Sequence, residues 1–360
     1  MSYNETYHTP PPRFKSKTAN RNLHAAKNAK KDEFYTRRTD VEKELNYYEH
    51  HFQGKVVYCN CDDPHISAFF HYFSHKFQQL RLKKLIAACY KNKSPDLFSR
   101  HDCEQAVYLE YEGDRNNNKI PDVEEIGVKN FKGDGDFRSP ESIELLKQAD
   151  IVVTNPPFSL FREYVAQLMN YKKKFLILGN LNALKYKEIW PFIKTNRIWL
   201  GCNSGSRMYA VPDDYPKNTV IGEDGRKYTQ MGNTCWYTNL DHAKRHEELV
   251  LFRKYTPEDY PGYDNYDAIE VSKTKNIPMD YKGVMGVPIT FLEKYNPDQF
   301  EIVGLDRDIM WGDIPEYVRP GWTGDLSSGI IDGKQVYARI LIRKREPAPA
   351  KNRTRKSRPK

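Results

Sequence analysis

Short apolar runs alternate with amphipathic segments between residues 55 and 201. Runs rich in Val, Ile, Leu and Tyr, typical of β-strands, cover residues 55–60, 84–90, 107–111, 151–154, 175–178 and 198–201. Segments with helical periodicity cover residues 64–77, 139–149, 159–171 and 186–194. Because strands alternate with helices, the pattern predicts an α/β fold built on a doubly wound, mostly parallel sheet.

Local signals predict where some helices begin and how deeply one strand is buried. Pro64 is expected at the first position of its helix, where its fixed φ is tolerated. Ser139 is expected to cap the following helix, with Pro140 at its first position. Pro191 is a candidate break within the helix at 186–194. The continuous β-branched run at 151–154 predicts a strand buried on both faces.

The character of the sequence changes after about residue 203. A Glu-Asp-Gly sequence at 223–225 predicts a turn, and residues 235–238 predict a short strand. Residues 256–342 are rich in Tyr, Pro, Gly and Asp and contain few long periodic segments, so we expect a loop-rich region there. Residues 1–20 are expected to be disordered, since they contain three consecutive prolines and little apolar content.

The net charge of +9 is concentrated at the two ends of the chain. Residues 1–31 hold seven Lys or Arg and one Glu, a net charge of +6. Residues 343–360 hold nine Lys or Arg and one Glu, a net charge of +8. Subtracting both from the total leaves −5 for residues 32–342. Basic tails favour salt-sensitive contact with phosphates, although tails that only add solubility have the same composition.

Several protein classes do not fit the sequence. No apolar run approaches the roughly 20 residues that a membrane span needs. The N-terminus is polar and proline-rich, which differs from a signal peptide and favours a cytoplasmic location. The cysteines form no CxxC pair, so we expect no structural zinc site.

The motif Asn155-Pro156-Pro157-Phe158 directly follows the predicted buried strand. Ligands of open α/β sheets bind at the carboxyl ends of strands, which is where this motif is expected. The Asn155 side-chain oxygen and the Pro156 carbonyl can each accept a hydrogen bond from one amino group. Two aligned acceptors favour the pyramidal, more nucleophilic form of a planar amino group, and Phe158 offers a face on which a base can stack.

The alternative is a turn that ends a strand, with Phe158 in the core, because four-residue matches are common. The motif at Asn155 follows a β-branched strand, in a chain that alternates strands with helices and has basic tails. This position favours the catalytic interpretation.

A second candidate site is the glycine-rich stretch at 133–137, Gly-Asp-Gly-Asp-Phe, which precedes a predicted helix. Glycines allow a close approach of backbone to ligand. Asp136 can accept a hydrogen bond from the adenine amino group of a cofactor, while Phe137 stacks on the ring. An ordinary Asp-Gly turn ahead of the helix is the alternative.

A third candidate lies at the end of the first predicted strand, where Asn60 is followed closely by Asp62 and Asp63. The two carboxylates can bind the ammonium group of a cofactor. The alternative is capping of the helix that follows, which needs the same residue types.

Together these segments resemble the amino-methyltransferases, and closely the EcoRI-type adenine modification methylases. The resemblance covers roughly residues 22–303 and is too long for chance. It rests on residues 32–36 (DEFYT), 56–64 (VVYCNCDDP), 133–139 (GDGDFRS), 151–164 (IVVTNPPFSLFREY), 244–247 (KRHE), 263–269 (YDNYDAI) and 283–292 (GVMGVPITFL). Two features depart from the wider methyltransferase pattern. The segment 59–63 replaces the usual FxGxG loop, and the strand ending near Tyr90 lacks the usual acidic residue.

The resemblance implies a sheet of the seven-stranded methyltransferase type and S-adenosylmethionine as the cofactor. It implies a catalytic domain at 21–255 and a target-recognition region at 256–342, whereas the basic tail at 343–360 falls outside the resemblance. The target base is expected at Asn155, Pro156 and Phe158. The predicted cofactor-binding residues are Phe34, Tyr35, Thr36, Asn60, Asp62, Asp63, Asp136 and Phe137.

We therefore predict a site-specific DNA methyltransferase that methylates the 6-amino group of a flipped-out adenine in duplex DNA. The resemblance suggests GAATTC as the recognition sequence. The alternatives are an RNA or protein amino or amide methyltransferase with the same motif, and a non-catalytic DNA-binding protein on the same fold. We expect a monomer that acts without a metal in the cytoplasm of a bacterium or of a phage-infected host. A cognate restriction endonuclease is a candidate partner.

Deleting residues 1–20 and 346–360 is expected to flatten the salt dependence of DNA binding without changing the methylated site. Phosphate contacts made by basic tails add affinity but carry no direct sequence information. Binding titrations over a range of salt concentrations, with sequencing of the methylated product, test this. An unchanged salt slope would show that the tails do not touch DNA.

Overall fold

The structure, a computed structural model, describes residues 35–61, 67–90, 106–114, 126–211, 219–222 and 225–346. The predicted site residues Phe34, Asp62 and Asp63 lie outside these ranges, as do Pro64 and the tails up to residue 34 and from residue 347. Within the described ranges, no helix has the length and apolar character needed to cross a membrane.

The described ranges contain short helices and many strands. The helices are α1 (Arg38–Leu45), α2 (Glu49–Phe52), α3 (Ala68–His75), α4 (Phe77–Leu80), α5 (Pro140–Gln148), α6 (Phe161–Asn170), α7 (Trp190–Lys194) and α8 (Asp306–Met310). The strands are β1 (Tyr35–Thr36), β2 (Val56–Cys59), β3 (Lys84–Cys89), β4 (Val107–Tyr111), β5 (Gly127–Asn130), β6 (Ile151–Thr154), β7 (Lys174–Asn180), β8 (Trp199–Ala210), β9 (Val220–Ile221), β10 (Lys227–Thr238), β11 (Ile269–Glu270), β12 (Met285–Pro288), β13 (Phe300–Leu305), β14 (Ile330–Ile331), β15 (Lys334–Gln335) and β16 (Arg339–Lys344).

The main sheet has the strand order β1-β8-β10-β7-β6-β2-β3-β4-β5, with β9 paired to β10. Its centre, β7-β6-β2-β3, is parallel, and the antiparallel strands lie on either side. The chain passes from β2 outward to β3 and later returns to the other side of β2 with β6. This reversal marks the crevice in which doubly wound sheets bind ligands. The predicted α/β class is confirmed.

Alternate residues of the central strands enter two hydrophobic cores, one on each face of the sheet. Tyr58 and Val152 belong to the core that includes apolar residues of α5 and α6. Val57 and Val153 belong to the core that includes apolar residues of α1 and α3. The predicted burial of the 151–154 strand on both faces is therefore confirmed, since all four of its residues are buried.

Capping residues decide where the helices begin. Ser139 caps α5 as predicted, with its side chain accepting a backbone N–H three residues further on. The predicted helix start at Pro64 lies outside the described residues, and the described helix α3 begins at Ala68 behind an extended Ser67 whose hydroxyl caps it. Pro191 stands in the first turn of α7 and does not break it. That helix is consequently shorter than the predicted 186–194.

The two strands predicted at 198–201 and 235–238 belong to β8 and β10, which are each 12 residues long. They pair as one long antiparallel hairpin with register shifts at two places. The sequence indicated only their apolar ends, because the remaining stretch is mostly polar, as in Asn203-Ser204-Gly205. At the far end of the hairpin, β1 pairs with β8 and β9 pairs with β10.

Residues 256–342, which the sequence predicts to be rich in loops, contain short strands between irregular stretches. They contribute most of a second sheet with the order β11-β12-β16-β13. Its apolar residues Met285, Ile302 and Ile342 belong to the same core as α7 and one face of the main sheet. These strands are two to six residues long, too short for an alternating pattern to stand out in the sequence.

Candidate active site

Three asparagines lie where adjacent strands of the main sheet end. Asn60 follows β2, Asn155 follows β6, and Asn180 is the last residue of β7. Because β2, β6 and β7 are parallel neighbours, their carboxyl ends meet at one edge of the sheet. The Asn155 motif therefore lies at the edge where open α/β sheets bind ligands.

The amide of Asn155 is oriented by a residue far away in the sequence. Its Nδ2 donates a hydrogen bond to Thr36 Oγ1 across 3.4 Å, between positions 119 residues apart. Thr36 belongs to β1, which pairs with Tyr209 and Ala210 at the far end of β8. The hairpin thus carries β1 to the motif, where Nδ2 is the donor and Oδ1 the acceptor of the Asn155 amide.

Phe158 lies between the hairpin and a cavity. On one side it packs against Tyr209 and Val211 at the end of β8. On the other side is a cavity of about 280 Å³. Its lining consists of Phe158, Ser159, Phe161, Asn180, Asn182, Ala183 and Tyr186. Pockets for small ligands start at roughly 300 Å³, so this volume suits one planar group of modest size.

A buried carboxylate connects the β1 segment to the hairpin. Glu44 of α1 accepts the backbone N–H groups of Cys202 (2.7 Å) and Asn203 (2.8 Å), the Asn203 Nδ2 (2.7 Å) and the Tyr48 hydroxyl (3.1 Å). A Cβ at position 201 would overlap this carboxylate, so Gly201 is needed for the close approach. Burial raises the pKa of Glu44, while the donors oppose that rise. The bridge holds α1, and with it Thr36, against β8.

Two predicted cofactor residues, Asn60 and Phe137, are connected through Tyr164 of α6. The Tyr164 hydroxyl donates to Asn60 Oδ1, and its ring meets Phe137 edge-on with ring centroids 5.1 Å apart. All three residues are buried. The helix that follows the Asn155 motif is thereby fixed to the end of β2 and to the Gly-Asp-Gly-Asp-Phe loop.

Asp136 is held in place by a neighbouring arginine. Its carboxylate accepts from Arg138 Nη2 at 2.7 Å and Nε at 2.9 Å, and Arg138 Nη1 donates to Glu163 at 2.8 Å. The hydrogen bonding of the Arg138 guanidinium to the Asp136 carboxylate is the main cause that raises the pKa of Arg138. The Asp136 side chain is still 23% exposed, so a ligand can reach the carboxylate.

The structure accounts for some predicted site residues and reveals others. Tyr35 is described by its backbone, which pairs with Ala210 in the sheet. The assignment of the eight predicted residues to a cofactor stays a prediction. Sequence reasoning did not single out Glu44, Tyr164, Asn180, Tyr186 and Tyr209. Asn180 carried a usable signal, a polar residue ending an apolar run, whereas Glu44 carried none. Within the described ranges, no group of three His, Cys, Asp or Glu residues is placed to hold a metal ion.

Comparisons with known proteins cover nearly the whole chain. The profile of the family described as "Adenine-specific methyltransferase EcoRI" matches residues 22–345. The chain is 49% identical over 331 residues to the Type II methyltransferase M.EcoRI of Escherichia coli, covering 90% of this chain and 96% of that protein. No solved structure matches significantly.

Two mycoplasma proteins are also similar over most of their length. Identity is 39% to the Type II methyltransferase M.MgeORF184P of Mycoplasma genitalium, covering 89% of this chain and 98% of that protein. Identity to the Type II methyltransferase M.MpnI of Mycoplasma pneumoniae is 37%, and the match covers 89% of this chain and 97% of that protein. The similarity therefore includes both sheets and not the Asn155 motif alone.

Proposed function

The chain belongs to the EcoRI family of adenine-specific methyltransferases, and we propose that it transfers a methyl group from S-adenosylmethionine to the 6-amino group of adenine in duplex DNA. The observation that carries the proposal is the position of Asn155. Its amide follows a buried parallel strand, is oriented by Thr36, and belongs to the same motif as Phe158, which lines the cavity.

The chemistry of the groups near these strand ends fits S-adenosylmethionine. Asp136 offers carboxylate oxygens for an amino group, Phe137 offers an aromatic ring, and Asn60 directly follows β2, the strand beside β6. Asp62 and Asp63, two and three positions further on, are proposed to bind the ammonium group. When bound, the cofactor supplies a methyl group activated by a sulfonium.

In the proposed mechanism the chain positions the amino group that receives the methyl. Adenine inside a duplex cannot be reached, so the base is flipped out. Asn155 Oδ1 and the Pro156 carbonyl accept its two amino hydrogens, which makes the nitrogen lone pair available. Phe158 stacks on the base, and the adjacent cavity is the proposed space that receives it.

We extend the proposal to the rest of the chain. Residues 21–255 act as the catalytic domain, residues 256–342 recognise the target, and the sequence resemblance supports GAATTC as the site. The enzyme acts as a monomer in the cytoplasm of a bacterium or of a phage-infected host, and a cognate restriction endonuclease is its proposed partner. The mycoplasma and Escherichia coli relatives support the bacterial setting.

A labelling experiment tests the proposed function against its alternatives. The purified protein and radiolabelled S-adenosylmethionine are incubated in three separate reactions, which contain duplex DNA, RNA or a protein mixture. We expect label in DNA only, and methylation-aware sequencing is expected to find it on adenine at one sequence. Label in RNA or protein alone would support the alternative methyltransferases, and no label anywhere would support a non-catalytic binding protein.

Replacing Asp136 with alanine is expected to weaken S-adenosylmethionine binding by about 1.5–3 kcal/mol, through the loss of a charge-assisted hydrogen bond. Calorimetry with the purified variant measures this directly.

The matched control is Arg138→Gln, which removes the observed partner of Asp136 and leaves its carboxylate in place. If Asp136 binds the cofactor, this control loses much less affinity than Asp136→Ala. Wild-type cofactor affinity in Asp136→Ala would remove Asp136 from the site, and equal losses would mean that it acts only by holding Arg138.

A further inference from the structure

We propose that Trp311, with Lys187 and Arg307, contacts the DNA strand that carries the target base, immediately beside the cavity at Phe158. The inference rests on the proposed function, because it names a further contact for the same substrate. We call these three residues and Met310 the Trp311 platform.

The platform combines an exposed aromatic ring with two cations. Trp311 is 39% exposed and Met310 is 45% exposed. Lys187 Nζ lies 5.7 Å and the Arg307 guanidinium 5.8 Å from the centre of the Trp311 indole. Among the ion pairs of the described residues, none involves Lys187 or Arg307. The surface therefore carries two positive charges that form no ion pair with an acidic side chain of the described residues.

The platform adjoins the wall of the cavity. Tyr186 lines the cavity, and Lys187 is the next residue in the chain. Arg307 Nη1 donates to the carbonyl of Lys185 across 3.3 Å, so the platform is attached on both sides of Tyr186. Arg162 lies over the Tyr186 ring at 4.8 Å and pairs with Glu188 at 3.8 Å.

Buried contacts hold the platform rigid. Asp308 of α8 accepts the indole N–H of Trp190 at 2.8 Å and lies 3.6 Å from Lys194 Nζ. Both partners belong to α7, so α8 is fixed to the segment that follows the cavity wall. A contact surface that is already ordered loses less conformational entropy when it binds.

This chemistry matches a DNA strand with a disturbed stack. When a base is extruded, its neighbours lose a stacking partner and expose their faces. An indole stacks on any base, and Lys and Arg bind the phosphates on either side. Because the ring and the cations lie together beside the cavity, one strand can contact all three.

The test measures DNA affinity and the fluorescence of Trp311. The probe is a short duplex that carries the site methylated by the wild-type enzyme. Trp311→Ala is expected to bind it about 5- to 150-fold more weakly, the range for loss of one stacked base. In the wild type, DNA is expected to quench emission, and this quenching should disappear in Trp311→Phe. Double replacement of Lys187 and Arg307 by Gln is expected to lower the salt slope of binding.

Trp199→Phe is the matched control, because Trp199 also lies under an arginine, with Arg245 at 4.0 Å. It pairs with Thr238 near the amino end of β7, at the opposite edge of the sheet. This variant should keep both affinity and quenching. If Trp311→Ala fails to fold, the fluorescence of Trp311→Phe still tests the inference, because DNA is expected to quench the wild type and not this variant.

The outcomes separate this inference from the proposed function. The inference about the Trp311 platform alone would be wrong if three results were found together. The wild-type enzyme would methylate DNA, Trp311→Ala would bind DNA with normal affinity, and DNA would still quench the emission of Trp311→Phe. Absence of methyl transfer to DNA by the wild type would overturn the proposed function, and the platform with it.

Discussion

Replacing Asn155 with alanine is expected to lower the single-turnover rate of methyl transfer roughly 100- to 1,000-fold. The reacting nitrogen becomes positive as the methyl group is transferred, so a hydrogen bond to Asn155 Oδ1 strengthens in the transition state. Losing one such aligned contact costs about 2.7–4 kcal/mol of transition-state stabilisation. Rapid-quench measurement of methyl transfer, with enzyme in excess over DNA, isolates this step.

Binding should change little in the same variant. Flipping draws on contacts across the whole DNA interface, and the proposed cofactor residues Asn60, Asp136 and Phe137 lie outside the Asn155 motif. The matched control is Asn155→Asp, which is expected to keep partial activity because a carboxylate also accepts hydrogen bonds. If Asn155→Ala transfers methyl groups at a near wild-type rate, the motif is a structural turn and the catalytic site lies elsewhere.

Replacing Glu44 with alanine is expected to lower the free energy of unfolding by on the order of 2–4 kcal/mol. The change leaves the buried N–H groups of Cys202 and Asn203 without their acceptor and opens a cavity between α1 and β8. Methylation should also slow in the folded variant, because Thr36 loses the support that holds it against Asn155. Urea unfolding measures the first effect, and single-turnover kinetics well below the unfolding midpoint measures the second.

Two variants of the same helix serve as controls for Glu44. Glu44→Gln keeps the shape of the side chain and is expected to be less harmful, since burial raises the pKa of this carboxyl and already disfavours its charge. Glu42→Ala removes an exposed carboxylate paired with Arg38 and should cost no more than about 0.5 kcal/mol. Equal losses in Glu44→Ala and Glu42→Ala would mean that the bridge to β8 does not stabilise the fold.

Structural features that depend on residues close together in the chain could be predicted from the sequence. The β-branched run before Asn155 predicted a strand buried on both faces, because strands covered by helices on both sides need apolar side chains in both directions. Ser139 followed by a proline predicted the start of α5, because a cap and its helix are adjacent in the chain. Together with the alternation of elements, these signals located the Asn155 motif at the carboxyl edge of the sheet.

Only the tertiary structure determined which distant residues support that motif. Thr36 lies 119 positions from Asn155 and Glu44 lies 158 positions from Cys202, and no local pattern records such pairs. The polar halves of β8 and β10 become strands because they pair with each other and with β1, and not because of their own composition. Trp311 similarly reaches the cavity wall through α8 and the second sheet. Local patterns specify secondary structure through backbone geometry and burial, whereas the site depends on hydrogen bonds and packing that exist only once the chain has folded.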